Sequence, residues 1–267
     1  MIVAYNVFDG QTPDAAADGA VLINAQTGEG IDALKARIIA EADDYERQSI
    51  TGGLVREGDV VVLVMPQDLQ APKGRLILPQ VQVMRDLLDQ GCRIVAVKTD
   101  DLVPMLQELK HPPALVITDS QVFGYVNEHL DGDVSLTSFS MLMAKYKGDI
   151  DELVEGGRAI ATLKPGDKVL IAESCTHHAL KGDIARQKLP LWLEEYAGGK
   201  LDFANSAGHG FPEDISQYKL IIHCGACMVN RRNMLSKMAK AKAAGVPITN
   251  FGVAIAFLRG MLDRVTW

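Results

Sequence analysis

Three of the four cysteines and three of the six histidines of this 267-residue chain fall in two short segments. These are Glu173-Ser174-Cys175-Thr176-His177-His178 and Ile222-His223-Cys224-Gly225-Ala226-Cys227. Each follows an apolar run that reads as a buried strand, residues 168–172 before the first and 218–222 before the second. In an open α/β sheet ligands bind outside the carboxyl ends of the strands, so two neighbouring parallel strands bring Cys175 beside Cys224 and Cys227. Residues 230–240 then form a good helix, whose N-terminal N–H groups and dipole favour thiolates.

Four chemistries compete for this set. A structural zinc site takes Cys175, Cys224, Cys227 and one histidine as a tetrahedral donor set. A zinc deaminase is set aside, because a cysteine stands where its H-x-E histidine belongs and His223 stands where the proline of P-C-x-x-C belongs. A thioredoxin-like dithiol at Cys224 and Cys227 follows a strand and opens a helix, with Val246-Pro247-Ile248 in place of that fold's proline. It has no use for Cys175. An iron–sulfur cluster on three thiolates leaves its fourth iron to an exchangeable group, for which His177, His178 and His223 are the candidates. The spacing leaves zinc and cluster both open, while thiols gathered beside histidines argue against a purely apolar core role.

The elements that must position these residues belong to an α/β chain. Strands at 59–65, 93–97 and 114–118 alternate with helices at 81–88 and 102–109, the mark of a parallel sheet. Turn residues at Asp131-Gly132-Asp133 set a boundary. Beyond it, residues 136–146 read as a helix with Met141, Leu142 and Met143 as core filler, and residues 150–163 as a second. After the second ligand segment and its helix comes a strand at 246–250. Cys92 reads as a small buried core residue, and Lys73, Arg75 and His111 as loop residues. At the N-terminus, strands at 2–5 and 20–23 precede a helix whose inner face carries Ile31, Leu34, Ile38 and Ile39.

With 48% apolar residues the chain can build proper cores. Its net charge of −7 is spread along the sequence and no basic patch is interleaved with aromatics, which excludes a nucleic-acid-binding class. No apolar run is long enough for a membrane span and no signal peptide is read, so the expected address is the cytoplasm. Four cysteines in this pattern are not a secreted disulfide framework.

Two turns near the N-terminus, Asn6-Val7-Phe8-Asp9 and Asn24-Ala25-Gln26-Thr27-Gly28-Glu29-Gly30, resemble the guanine-reading end of a small GTPase domain. Val7 replaces the lysine that packs on the base, and no G-x-x-x-x-G-K-[ST] loop exists in the sequence. Asn6 and Asp9 are therefore degenerate positions, with no nucleotide binding expected of them.

The pattern Cys175-x-His177 with His223-Cys224-x-x-Cys227 resembles the signature of the HydF family of FeFe-hydrogenase maturation proteins. The likeness extends to residues 71–81, 116–123, 146–149 and 247–250, and covers residues 49–267. It implies residues 1–47 as the remnant of a GTPase domain, 48–132 as a dimerisation domain and 133–267 as a cluster-binding domain. The expected architecture is thus two small parallel-sheet, doubly wound-like domains after a short β-α remnant. The resemblance also implies a scaffold with no enzymatic activity of its own here. It would bind a 4Fe-4S cluster on Cys175, Cys224 and Cys227, hold a transient diiron precursor with carbonyl and cyanide ligands, and deliver it to apo FeFe-hydrogenase. The implied partners are a second copy of the chain, the hydrogenase and the other maturation proteins. Arg231 and Lys181 stand near enough in sequence to balance an anionic cluster.

Overall fold

The computed structural model describes residues 2–8, 19–42, 49–66, 76–174, 184–208, 210–227 and 229–267. They fall into two compact units, Met1–Ser49 and Ile50–Trp267, each taken by itself below.

In the first unit β1 (Ala4–Asn6) pairs in parallel with β2 (Val21–Ile23), and α1 (Ile31–Ala42) follows. Asn6 Oδ1 accepts from the Ala25 N–H at 3.0 Å, and Asn24 Oδ1 accepts from Gln26 and Thr27 N–H at 2.9 and 3.0 Å, so the two polar turns are tied together. Gly30 sits at φ 74°, and a β-carbon there would run into the Leu22 carbonyl. The expected inner face of α1 is only half formed. Ile31 and Leu34 are partly buried, but Ile38 and Ile39 stand 48% and 60% exposed. The reason is length, since a 12-residue helix runs about 18 Å and three-residue strands only about 10 Å.

The second unit holds two four-stranded parallel sheets. The first is built from β3 (Val60–Val64), α2 (Leu78–Asp89), β4 (Arg93–Val97), α3 (Leu102–Glu108), β5 (Leu115–Thr118), α4 (Phe123–Glu128), β6 (Ser135–Ser138) and α5 (Phe139–Lys147). Its strand order is β4-β3-β5-β6. The turn at Asp131-Gly132-Asp133, expected as a domain boundary, leads instead into β6, which pairs with β5 and completes this sheet. Leu136, expected in a helix, is therefore a strand residue, and the helix begins at Phe139, where Ser138 Oγ accepts from the Met141 N–H at 3.2 Å.

The second sheet takes α6 (Ile150–Arg158), β7 (Lys168–Glu173), α7 (Leu189–Ala197), β8 (Asp202–Ala207), β9 (Leu220–His223), α8 (Arg231–Ala243), β10 (Ile248–Asn250) and α9 (Phe251–Leu258), in the order β10-β9-β7-β8. The chain leaves β7 toward β8 on one side and then continues with β9 and β10 on the other, so the order reverses between β7 and β9. That is where ligands gather in such sheets.

One apolar cluster runs through both sheets. Val62, Val116 and Leu136 belong to it together with Met141, Leu153, Leu170, Ile221, Met238 and Val253. Small residues make the close approaches. At Gly156 of α6 a β-carbon would collide with the Ile248 carbonyl of β10, and at Gly252 of α9 it would meet the Ser140 side chain. Thr249 Oγ1 then donates to the Leu153 carbonyl at 2.8 Å, locking α6 onto β10.

Candidate metal centre

β7 and β9 lie side by side with Ala172 opposite His223, as the two apolar runs before the cysteine segments predicted. The ladder carries on past the last pair, since Cys224 N–H donates to the Ala172 carbonyl at 2.8 Å. One step further the Ser174 N–H donates to Cys224 Sγ at 3.2 Å. Ser174, the residue before Cys175 in sequence, thus touches the Cys224 sulfur. Cys175 itself lies outside the described residues, as do His177, His178, Lys181 and Asp9.

Cys224 and Cys227 stand on the loop between β9 and α8. Ala226 between them adopts φ 55°, the only non-glycine at positive φ among the described residues. This left-handed residue bends the loop sharply within the C-x-x-C spacing. Cys224 is buried and Cys227 half-buried. The helix that follows is capped by Asn230, whose side chain accepts from the Asn233 N–H at 2.9 Å.

His223 is wholly buried and both of its ring nitrogens are engaged. Nδ1 is 2.7 Å from the Cys224 carbonyl, and because a carbonyl only accepts, Nδ1 carries the proton. Nε2 is then the acceptor, facing Lys237 Nζ and Ser174 Oγ at 3.0 Å each. Burial first, and the Lys237 charge second, push His223 down to about 4, so the ring is neutral at physiological pH.

Lys237 is only 4% exposed. Its ammonium donates to Ser174 Oγ at 3.1 Å and to the Gly208 carbonyl at 3.4 Å as well as facing His223. Lys147, at the end of α5, is also buried and donates to the Val229 carbonyl at 3.0 Å, two residues beyond Cys227. A small cleft beside the loop is lined by Met143, Lys147, Cys224, Gly225, Ala226 and Met234. Neither lysine was singled out from the sequence. The available signal was Lys237 at a core position of α8, in the spacing Met234, Lys237, Met238, Ala241, all four of which are buried.

Arg231, expected beside the cluster loops, spends Nη1 on the C-terminal carbonyls of α5. It reaches Lys145 O at 3.2 Å, Tyr146 O at 3.0 Å and Gly148 O at 2.7 Å. Cys92 is buried as read, with Sγ 3.5 Å from the Arg56 carbonyl.

The donor set suits an anionic, thiolate-held metal group. Two thiols sit on one tight loop, a backbone N–H already points at one sulfur, the third cysteine follows that N–H, and two ammonium groups stand close by.

Residues 50–148 match the family model described as the hydrogen maturase F dimerization domain, and residues 151–266 match the hydrogen maturase F tetramerization domain. No curated protein matches the chain. The first model ends just after α5 and the second begins within α6.

Proposed function

Because the chain belongs to the hydrogen maturase F family, and so to FeFe-hydrogenase maturation, we propose that it is a scaffold holding a 4Fe-4S cluster on Cys175, Cys224 and Cys227. From there it carries a diiron precursor, with carbonyl and cyanide ligands, to the apo-hydrogenase. The observation that carries this reading is the Ser174 N–H at 3.2 Å from Cys224 Sγ, a contact between the ends of the two cysteine segments, with Cys175 next to Ser174 in sequence. Three thiolates on one cluster leave an iron with an exchangeable position, which is the chemistry such a group supplies to a carrier.

The chain's own residues do the holding. Backbone N–H donation to a ligand sulfur orients it and offsets the charge a bound metal group would leave on it. His223, with Nδ1–H on the Cys224 carbonyl and Nε2 facing Lys237 and Ser174, serves as a positioning residue that fixes the C-x-x-C loop. This leaves His177 and His178 as the histidines for the exchangeable position. Matches to a dimerization and a tetramerization domain make self-association part of the chain's work. A homodimer through residues 50–148 is the assembly proposed. No nucleotide hydrolysis is assigned to residues 1–47.

The test is protein purified and reconstituted anaerobically, read by absorbance and by iron and sulfide assay. Brown protein with about four irons per chain is the expected result. Colourless protein carrying zinc would overturn the cluster in favour of a structural zinc site, and a reversible Cys224–Cys227 disulfide without metal would favour the dithiol reading.

A further inference from the structure

We propose that Lys237 and Lys147 are counter-charges built into the thiolate site, Lys237 for the Cys224 side and Lys147 for the Cys227 side, so that the site favours the more negative, more reduced state of what it holds. The inference rests on the cluster reading above and goes beyond it, from which residues ligate to which residues set the charge.

A lysine ammonium is seldom buried without an anion, because its desolvation is costly unless a partner compensates. Here two are buried within one site. Among the described residues no carboxylate pairs with either, since every polar partner of Lys237 is a neutral oxygen or the neutral His223 ring, and that of Lys147 is a carbonyl. What each does stand beside is the cysteine loop. Lys237 Nζ is 3.1 Å from the Oγ of Ser174, the residue whose N–H reaches Cys224 Sγ at 3.2 Å, and Lys147 lines the same cleft as Cys224 while donating to the Val229 carbonyl, two residues beyond Cys227. A negative group held on these cysteines is the anion both buried cations lack.

The hydrogen bonds explain how the first ammonium is aimed. Lys237 lies on the buried face of α8, and its contacts to Ser174 Oγ, His223 Nε2 and Gly208 O hold Nζ over the ends of β7, β9 and β8. Ser174 is the same residue whose N–H reaches Cys224 Sγ. Lys147 comes from elsewhere. It ends α5, the last helix of the part matched as the dimerization domain, whereas both cysteines lie in the part matched as the tetramerization domain. One counter-charge is therefore supplied across the junction of the two parts. An [4Fe-4S] core with three thiolates is anionic and becomes more so on reduction, so nearby cations raise its potential.

The test uses the full chain, reconstituted anaerobically, as wild type, Lys237→Met, Lys147→Met and Lys237→Arg. Iron content, melting temperature and cluster midpoint potential, by redox titration followed with EPR, are read for each. Both Met variants are expected to shift the potential to more negative values at unchanged iron content, and Lys237→Arg to stay near wild type. Unchanged potentials in both Met variants overturn the proposal. If Lys237→Met loses its iron, Lys237→Arg and Lys147→Met decide. Iron retained by Lys237→Arg supports the charge, and its loss there too, with an unchanged potential in Lys147→Met, overturns it. A wild-type chain that takes up no cluster fails at the earlier step and removes the cluster reading itself.

Discussion

At Cys224 the backbone and side-chain interactions converge from three directions: its N–H on β7, its sulfur receiving Ser174 N–H, and its carbonyl receiving His223 Nδ1–H. Replacing the sulfur alone leaves both backbone bonds in place. Cys224→Ala is therefore expected to abolish iron binding while the melting temperature stays near that of the unloaded wild type, and full iron content in that variant would remove Cys224 from the ligand set. His223→Leu acts differently, because it orphans the Cys224 carbonyl and takes one acceptor away from the buried Lys237 ammonium. A loss of about 1–3 kcal/mol in urea unfolding is expected, with reduced iron uptake. An unchanged midpoint would show that the imidazole holds nothing. The cysteines and His223 were legible because their types and clustering are local. Lys237 was not, since a lysine in a helix of mostly charged and small residues looks solvated until the helix is laid on the sheet.

For the elements, the tightest constraint is α6 on β10. Gly156 lets the helix backbone approach the Ile248 carbonyl, and Thr249 bridges to the Leu153 carbonyl from the next strand position. Gly156→Ala is expected to push the helix outward and cost about 1–3 kcal/mol, measured as a lowered denaturation midpoint. Arg231 plays a comparable part between α8 and α5, with one guanidinium nitrogen on three carbonyls. The apolar runs at Val60–Val64, Leu115–Thr118, Lys168–Glu173 and Leu220–His223 declared their strands plainly. Two strands were missed for a shared reason. β6 reads Ser-Leu-Thr-Ser and β8 Asp-Phe-Ala-Asn-Ser-Ala, and such polar sequences become strands because an edge position beside β5 or β7 offers their backbone a ladder.

On the scale of the whole molecule, the matched dimerization and tetramerization domains predict an assembled state. Light scattering behind size exclusion should give a dimer or a larger even assembly, and a monomer at every concentration would count against it. The N-terminal unit carries its own prediction. Asn6 and Asn24 order the two turns, yet Val7 stands where a GTPase lysine would pack on the base and the sequence has no phosphate loop. Calorimetric titration with GTP and Mg²⁺ should show no binding tighter than millimolar, about 4 kcal/mol. A micromolar constant would make that unit a working nucleotide site.

The sequence by itself determined the parallel α/β alternation, the two cysteine segments at strand ends and the family resemblance, because all three are written in short-range pattern and residue type. Only the tertiary structure decided that residues 135–138 complete the first sheet, that β8 occupies the edge beyond β7, and that Lys147 and Lys237 are buried at the cysteines. Those outcomes depend on which helix face packs over which strand. Such contacts join residues far apart in the chain, as Lys147 with Val229 and Lys237 with Ser174, and no local periodicity encodes them.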